Sequence, residues 1–384
     1  MVESLVVYCA LFVVMILCCV GEKKTVSRYE ETSGFYQENK RFLSGNILIL
    51  SLSFAFVFGC RWGVGRDYFR YLDSFLYRTP ERFEFLFYLI TEFFKKNGLH
   101  FSFYFGFLAL LDIILLFYAA KDYKFIFPYI AFFLIFGYHF LTMMNAIRQS
   151  ISALIFLVSI KYIDSKNLKG FLLCVVVAVL FHKLSVLLII FYPLLRVRDD
   201  WFRGIQYQLI LYVAAIVISY NYDVMMKWIE TPFEFLTNVL DYDNYQYDTL
   251  MSDRFDRNNL GSKGLGIYAN ILRTVPVIVL SKEMKKFYNS SRFNMMYSLY
   301  FLGVLMSLIL GRSIILNRFN YFFVFFTILI YAFFCYYCFQ KRQIGYQIAA
   351  ISMIVIHIPL FINIIANTNN LSQYSFFWES KMFL

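Results

Sequence analysis

Several residues of this chain are suited to chemistry, and they lie far apart along it. Arg148 sits in "TMMNAIRQSISAL" (142–154), between two apolar runs, with no acid within ten residues on either side. A guanidinium presents a planar fork of donors that grips phosphate oxygens two at a time. His182 and Lys183 lie in "FHKLS" (181–185), in the middle of another apolar run. Histidine is the side chain whose ordinary pKa falls nearest neutrality, which suits a proton acceptor. Arg61, Arg66, Asp67 and Arg70 follow the second apolar run, and Arg78, Glu81, Arg82 and Glu84 come next. Arg312 and Arg318 bracket a short turn, "GRSIILNR" (311–318). A buried arginine needs an anion, so the elements that hold these groups decide what they do.

Those elements are membrane helices. The chain has 384 residues, 60% of them hydrophobic and only 16% charged. A soluble domain carries about 25% charged residues. Apolar runs of the length a bilayer requires recur throughout. The expected spans are 4–20, 43–60, 99–119, 125–143, 146–163, 204–220, 264–281, 294–311, 314–339 and 344–366. The first run lacks a basic leader and a small-residue cleavage site, so it reads as a retained helix. The run 169–195 has too polar a centre for a simple span and reads as two short helices meeting at His182 and Lys183. If it crosses twice, every short basic linker falls on one side, as the positive-inside rule requires. The expected fold is therefore all-α and polytopic, with about 12 membrane-embedded helices including this broken pair, and both termini outside. Helices of about 13 residues reach only about 20 Å, so their apex dips below the outer surface and leaves a recess.

The expected organisation is a single integral membrane domain, 1–384, with two longer extracytoplasmic segments. One, 61–98, carries an amphipathic interfacial helix at 83–94. The other, 221–263, is rich in Asp and Tyr. The net charge of +11 reflects basic inner linkers and implies no nucleic-acid partner. The seven cysteines all lie in or beside apolar runs, and Cys335 and Cys338 read as packing residues despite their spacing. Asp112, inside the third span, is a functional candidate by position and a hydrogen-bonded packing residue by the plainer reading. His100 and His139 read as structural or interfacial, and His357 has no evident partner. No metal or other cofactor is implied.

With this topology Arg61, Arg66, Arg148, Lys183, Arg312 and Arg318 fall on the outer side, against the usual bias. One arginine at a helix end is an interfacial anchor whose head reaches the lipid headgroups. Basic groups from four segments can instead converge on one cavity and hold an anion that carries a lipid tail. A polyprenyl diphosphate meets that description.

"GVGRDYFRYLD" (63–73), "FEFLFYLI" (83–90), "NAIRQSISALIF" (145–156) and "AVLFHKLSVLLIIFYPLL" (178–195), in that order, resemble the EpsG/Wzy-type membrane polysaccharide polymerases. "NRFNYF" (317–322) is similar to the Arg-x-x-Tyr segment near the end of that family's pattern. The resemblance implies the joining of oligosaccharide repeat units carried on undecaprenyl diphosphate, at the outer face of a bacterial cytoplasmic membrane. It also implies flippase and chain-length regulator proteins as partners, besides membrane lipid. Under that reading Arg148, Arg318, Arg312, Lys183 and Arg66 hold the diphosphate. His182 or Asp67 takes the proton of the attacking sugar hydroxyl. Glu84, Trp62, Tyr68 and Tyr321 contact the glycan; Tyr242, Tyr245 and Tyr247 of the long loop either join them or belong to an ordinary exposed lid. A flippase for the same lipid, an O-antigen-ligase-like transferase and an acyltransferase are the alternatives.

Overall fold

The computed structural model describes residues 1–33, 42–77, 83–221, 265–311, 314–367 and 372–380. Among them are sixteen α-helices and three short 3-10 helices. In chain order the α-helices are α1 (Val2–Ser33), α2 (Gly45–Gly59), α3 (Tyr68–Leu76), α4 (Phe85–Lys96), α5 (Phe101–Ala119), α6 (Phe127–Phe136), α7 (His139–Asn145) and α8 (Ile147–Asp164). Then come α9 (Leu168–Phe181), α10 (Phe191–Val197), α11 (Ile205–Tyr220), α12 (Leu265–Val279), α13 (Ser281–Tyr288), α14 (Ser291–Leu310), α15 (Ile314–Gln340) and α16 (Ile344–Asn367). Five of these contain stretches long and apolar enough to cross a membrane, and α6 with α7 makes a sixth if the bent pair counts as one span. The chain is a polytopic membrane protein.

The segments expected to span and the helices found agree in position more than in form. Besides α1, α5, α14, α15 and α16, four shorter apolar helices of 10–17 residues occupy α2, α9, α11 and part of α12. The span expected at 125–143 is not one helix. A 3-10 turn occupies Lys121–Ile126, α6 starts beyond it, and the axis turns by 63° before α7. Gly137 ends α6, and Tyr138 adopts a left-handed backbone (φ 52°) that no helix can continue through. The run 169–195 breaks where expected, with His182 extended (φ −157°, ψ 113°). Its second half is not a uniform α-helix. A 3-10 helix, Lys183–Ile190, precedes α10. Pro193 has no N–H to give to the Ile189 carbonyl, which favours the tighter winding before it. The outer helix expected at 83–94 is α4, shifted by two residues, and α3 stands beside it as an addition.

Contacts sort the helix ends into two groups. At one end, Lys124 pairs with Glu22 at 3.0 Å, Arg292 with Asp122 at 2.6 Å and with Asp164 at 3.3 Å, and Lys285 with Asp200 at 2.7 Å. At the other end, the segment 372–377 folds back over the tips of α1 and α2. Tyr8 Oη donates to the Ser372 carbonyl at 3.0 Å, and Trp62 N–H to the Ser375 carbonyl at 2.8 Å. The basic linkers gather at the first end and the chemistry-bearing residues at the second.

Two packing devices hold that second end. Gly59 lets α2 meet α5 backbone to backbone, since a Cβ there would lie 2.5 Å from the Ser102 carbonyl oxygen. Gly65 (φ +100°) turns the loop after α2 against the Met144 carbonyl at the end of α7. Arg61 is wholly buried beneath this loop. It donates to the carbonyls of Phe58 at 2.8 Å, Val64 at 3.2 Å and Met144 at 3.2 Å. The rings of Phe105, Tyr68 and Phe58 lie 4.8–5.5 Å from its guanidinium carbon. Arg61 is thus a fastener for the loop, not part of an anion site. A separate apolar cluster binds α3 and α4 to the outer halves of α5, α8 and α9, through Tyr71, Phe75, Phe87, Tyr104, Ile151 and Phe181 among others.

Candidate functional site

Glu84 is the hub of the outer end. It is the residue just before α4, in extended backbone, so its side chain is free to point away from that helix and down into the bundle. It is nearly buried, with 5% of its side chain exposed. Its Oε2 accepts from Arg148 Nη1. Its Oε1 accepts from the Lys183 backbone N–H at 3.3 Å and lies 3.4 Å from His182 Nδ1. One carboxylate therefore ties the outer hairpin to the first turn of α8 and to the break after α9. The acid that Arg148 lacks in its own sequence neighbourhood comes from 64 residues upstream.

The sequence places each partner for a local reason. The extended backbone at His182 ends α9 and turns the ring sideways, and the following N–H of Lys183 is left without a helical acceptor. Arg148 is the second residue of α8, at the end of the bundle, with its guanidinium over the rings of Phe83 (4.8 Å) and Phe87 (5.6 Å). Such ring faces stabilise a cation while excluding water. Ser152 fixes α8 against α9 by donating to the Ala178 carbonyl at 2.8 Å. Gln149 donates from its side chain to the Arg318 carbonyl and so seats the start of α15 on the same site. Phe322, one turn past Arg318, stands 6.2 Å from the His182 ring.

Burial alone would raise the Glu84 carboxyl, but His182 and then Arg148 beside it bring it down to about 2. A folded-state pKa below the ordinary 4.5 gives stability that is complete above about pH 4.5 and is lost as pH falls through about 2. The stability difference between the protein and Glu84→Gln is thus expected to be constant above pH 4.5 and to shrink below it. Thermal unfolding in detergent across that range checks this. A difference already shrinking between pH 7 and pH 5 would contradict it.

Buried polar atoms without a hydrogen-bond partner cluster here. They are both ring nitrogens of His182, Nε of Arg148 and Oγ of Ser185. Such atoms are rare in folded proteins and mark a place where another molecule can bind. Ser185 lies three residues past His182 in the 3-10 turn, on the same side of it.

Of the residues expected at the site, the structure brings Glu84, Arg148, His182 and the backbone of Lys183 into contact. Arg318 is within electrostatic range of His182, and Tyr321 is within range of both Arg318 and Asp67. Asp67 lies half-buried at the start of α3, its N–H bound by Asn145 Oδ1 at 3.0 Å, and it does not touch the Glu84 cluster. The Lys183 and Arg66 side chains are exposed. Two of the residues expected to contact glycan are engaged within the protein. Tyr68 is fully buried, donates to the Arg61 carbonyl at 3.0 Å and stacks on Phe105, so its ring offers no face to a sugar. Glu84 has both oxygens engaged within the protein. Trp62 and Tyr321 remain half-buried. Arg312, Arg78, Glu81, Arg82 and residues 222–263 of the loop, with Tyr242, Tyr245 and Tyr247, lie outside the described residues.

Asp112 takes its plainer role. It is buried, and Ser150 Oγ lies 3.1 Å from each of its oxygens, locking α5 to α8. His357 finds a partner in the Met353 carbonyl at 2.6 Å. Sequence reasoning passed over Gln149 and Tyr71, a hydrogen-bond neighbour of Arg148. It also passed over Arg273, a charge inside an apolar helix, whose position was itself a signal.

A family model described as the EpsG family matches residues 46–376. No curated protein and no solved structure matches the chain.

Proposed function

Since the chain belongs to the EpsG family of membrane proteins, a family linked to exopolysaccharide synthesis, we propose that it is a Wzy-type polysaccharide polymerase. In this reading it is a glycosyltransferase that joins undecaprenyl-diphosphate-linked repeat units on the extracytoplasmic side. The observation that carries the reading is the Glu84 cluster, which gathers a guanidinium and an imidazole whose Nε2 has no partner at the end of the bundle opposite the basic linkers. The positive-inside rule makes the basic end cytoplasmic. Counted as legs between the two ends, α1, α2, α5, α6–α7, α8, α9, the 3-10 turn with α10, α11, α12, α14, α15 and α16 make about 12 traverses, with both described termini outside.

The chemistry follows from the geometry. A sugar hydroxyl of one unit attacks the anomeric carbon of the glycan on another. The new C–O bond forms as the bond to the diphosphate breaks, and its electron pair leaves with undecaprenyl diphosphate. His182 Nε2 takes the hydroxyl proton. Glu84, facing Nδ1, holds the ring and stabilises the imidazolium; such contacts shorten once substrate is bound. Glu84 is therefore a positioning residue. Arg148 spends Nη1 on Glu84 and keeps other donors for phosphate oxygens, and Arg318, within electrostatic range of His182, is the second cation. Charge gathering on the leaving oxygen is stabilised by these fixed cations in a water-poor recess. Diphosphate is already a good leaving group, so no acid is needed on that side.

A transporter of the same lipid is the main alternative. A path across the bundle would have to continue past the middle, and in the inner half Phe293 of α14 meets Phe333 of α15 at 5.2 Å, with Tyr297, Phe301 and Tyr337 buried near them. That packing favours the polymerase.

His182→Ala is expected to cut polymer formation by about 100-fold or more, the usual contribution of a general base. The length distribution of lipid-linked glycan from cells carrying the variant checks this. A full-length ladder would clear His182 of the role.

A further inference from the structure

Arg273 lies in the middle of α12, eight residues from its outer start and six from its inner end. A guanidinium at such a depth costs roughly 2.5–3.5 kcal/mol even on lenient scales. Among the described residues no carboxylate pairs with it; its Nε donates to the Ala269 carbonyl at 3.2 Å, and the Tyr138 hydroxyl lies near it. It does not face lipid. It shares the helix face of Ala269 and Val277, which are buried, while Tyr268 and Leu272 point outward. Its neighbours Tyr138, Tyr300 and Tyr331 come from the bundle interior. Yet Arg273 itself is partly exposed, and so are Tyr138, Leu141, Thr142, Asn145 and Arg148. Those positions follow a helical spacing and form one stripe along α7 into α8. The alternating residues Phe140, Met143, Met144 and Ile147 are buried.

The stripe leads from Arg273 at mid-depth up to Arg148 at the outer end. An interrupted backbone at membrane depth, such as that at Gly137 and Tyr138, persists where it is packed in protein or borders a polar cavity. Tyr300 is wholly buried next to Arg273, with its hydroxyl beside that of Tyr331. His357, 5.7 Å from Tyr331, uses only Nδ1, on the Met353 carbonyl. The partly exposed stripe thus connects the outer end to a cation at mid-depth that has no anion of its own among the described residues.

We propose that Arg273 and the Tyr138 hydroxyl form a second oxyanion site, deeper than the Glu84 cluster, which holds the diphosphate of the second lipid-linked unit. This rests on the polymerase reading, in which two such units must be bound at once. One diphosphate lies at Arg148 and Arg318 and departs in the reaction. The other stays attached to its glycan and is only held, which suits a site built from a guanidinium and a hydroxyl.

The test is native mass spectrometry of the full-length protein in detergent with undecaprenyl diphosphate lacking glycan. The wild type is expected to bind two molecules, and Arg273→Gln and Arg148→Gln one each. Tyr138→Phe, a milder change, is expected to weaken the second event about 10-fold, as loss of one hydrogen bond to a charged group does. Inorganic diphosphate as a second probe separates the head from the tail, and competition by it at the Arg273 site is expected. A wild type that binds one molecule overturns the second site, whichever arginine holds it. Two molecules retained in Arg273→Gln overturn it as well. A wild type that binds none overturns the polymerase reading instead.

Discussion

Glu84→Ala is expected to abolish long-chain polymer and to destabilise the protein more than either Arg148→Gln or His182→Ala. Each of those two changes removes one partner of a three-way arrangement. Glu84→Ala removes the centre. It leaves the Arg148 guanidinium, 21% exposed and covered by Phe83 and Phe87, without its counter-charge. Breaking a buried pair from one side costs about 3–5 kcal/mol, mostly because the remaining charge stays desolvated. The same change frees the Lys183 N–H and lets the His182 ring turn, so α4 loses its tie to both α8 and the break after α9. Thermal unfolding in detergent measures the first effect, and the glycan ladder in membranes the second. The double variant Glu84→Ala/Arg148→Ala is expected to be more stable than Glu84→Ala alone, since no stranded charge remains. Additive losses would show that the pair is not coupled and that Glu84 is not the hub.

Arg148→Lys is expected to keep the fold and lose most activity, by about 100-fold or more, the scale of one lost transition-state contact. An ammonium is long enough to hold the ion pair with Glu84, so the junction of α4 with α8 survives. It cannot also offer the planar fork that a phosphate needs, because its donors radiate from one atom. The variant therefore separates the two duties of Arg148. Unfolding midpoints close to wild type with short glycan products are the expected combination. Undiminished long chains would remove Arg148 from the mechanism and leave it as a structural pair.

How much of this was legible in the sequence depends on the range of each interaction. The break at His182 could be read locally, because a polar "FHKLS" cannot sit in the middle of a simple span. The outer helix α4 and the basic inner linkers were equally local signals. The pairing of Glu84 with Arg148 was not, since 64 residues separate them and nothing near either names the other. That is why Arg148 looked unpaired and Arg61 looked available. Arg61 is instead capped by three carbonyls, a solution that leaves no trace in residue types. The bend between α6 and α7 was hidden by an apolar run that reads equally well as straight. Tyr68 looked like a sugar platform because aromatic residues at outer segments serve both burial and binding, and only packing tells them apart. Arg273 was visible as a charge in an apolar helix, but its neighbours on α7, α14 and α15 come together only in the folded bundle.

The most direct measurement uses the purified protein in sealed vesicles with synthetic undecaprenyl-diphosphate-linked repeat units supplied from outside. The Glu84-centred arrangement predicts that vesicles whose protein exposes that end to the added substrate convert single units into longer lipid-linked glycans and release undecaprenyl diphosphate. Movement of the units across the bilayer with no gain in length would contradict it.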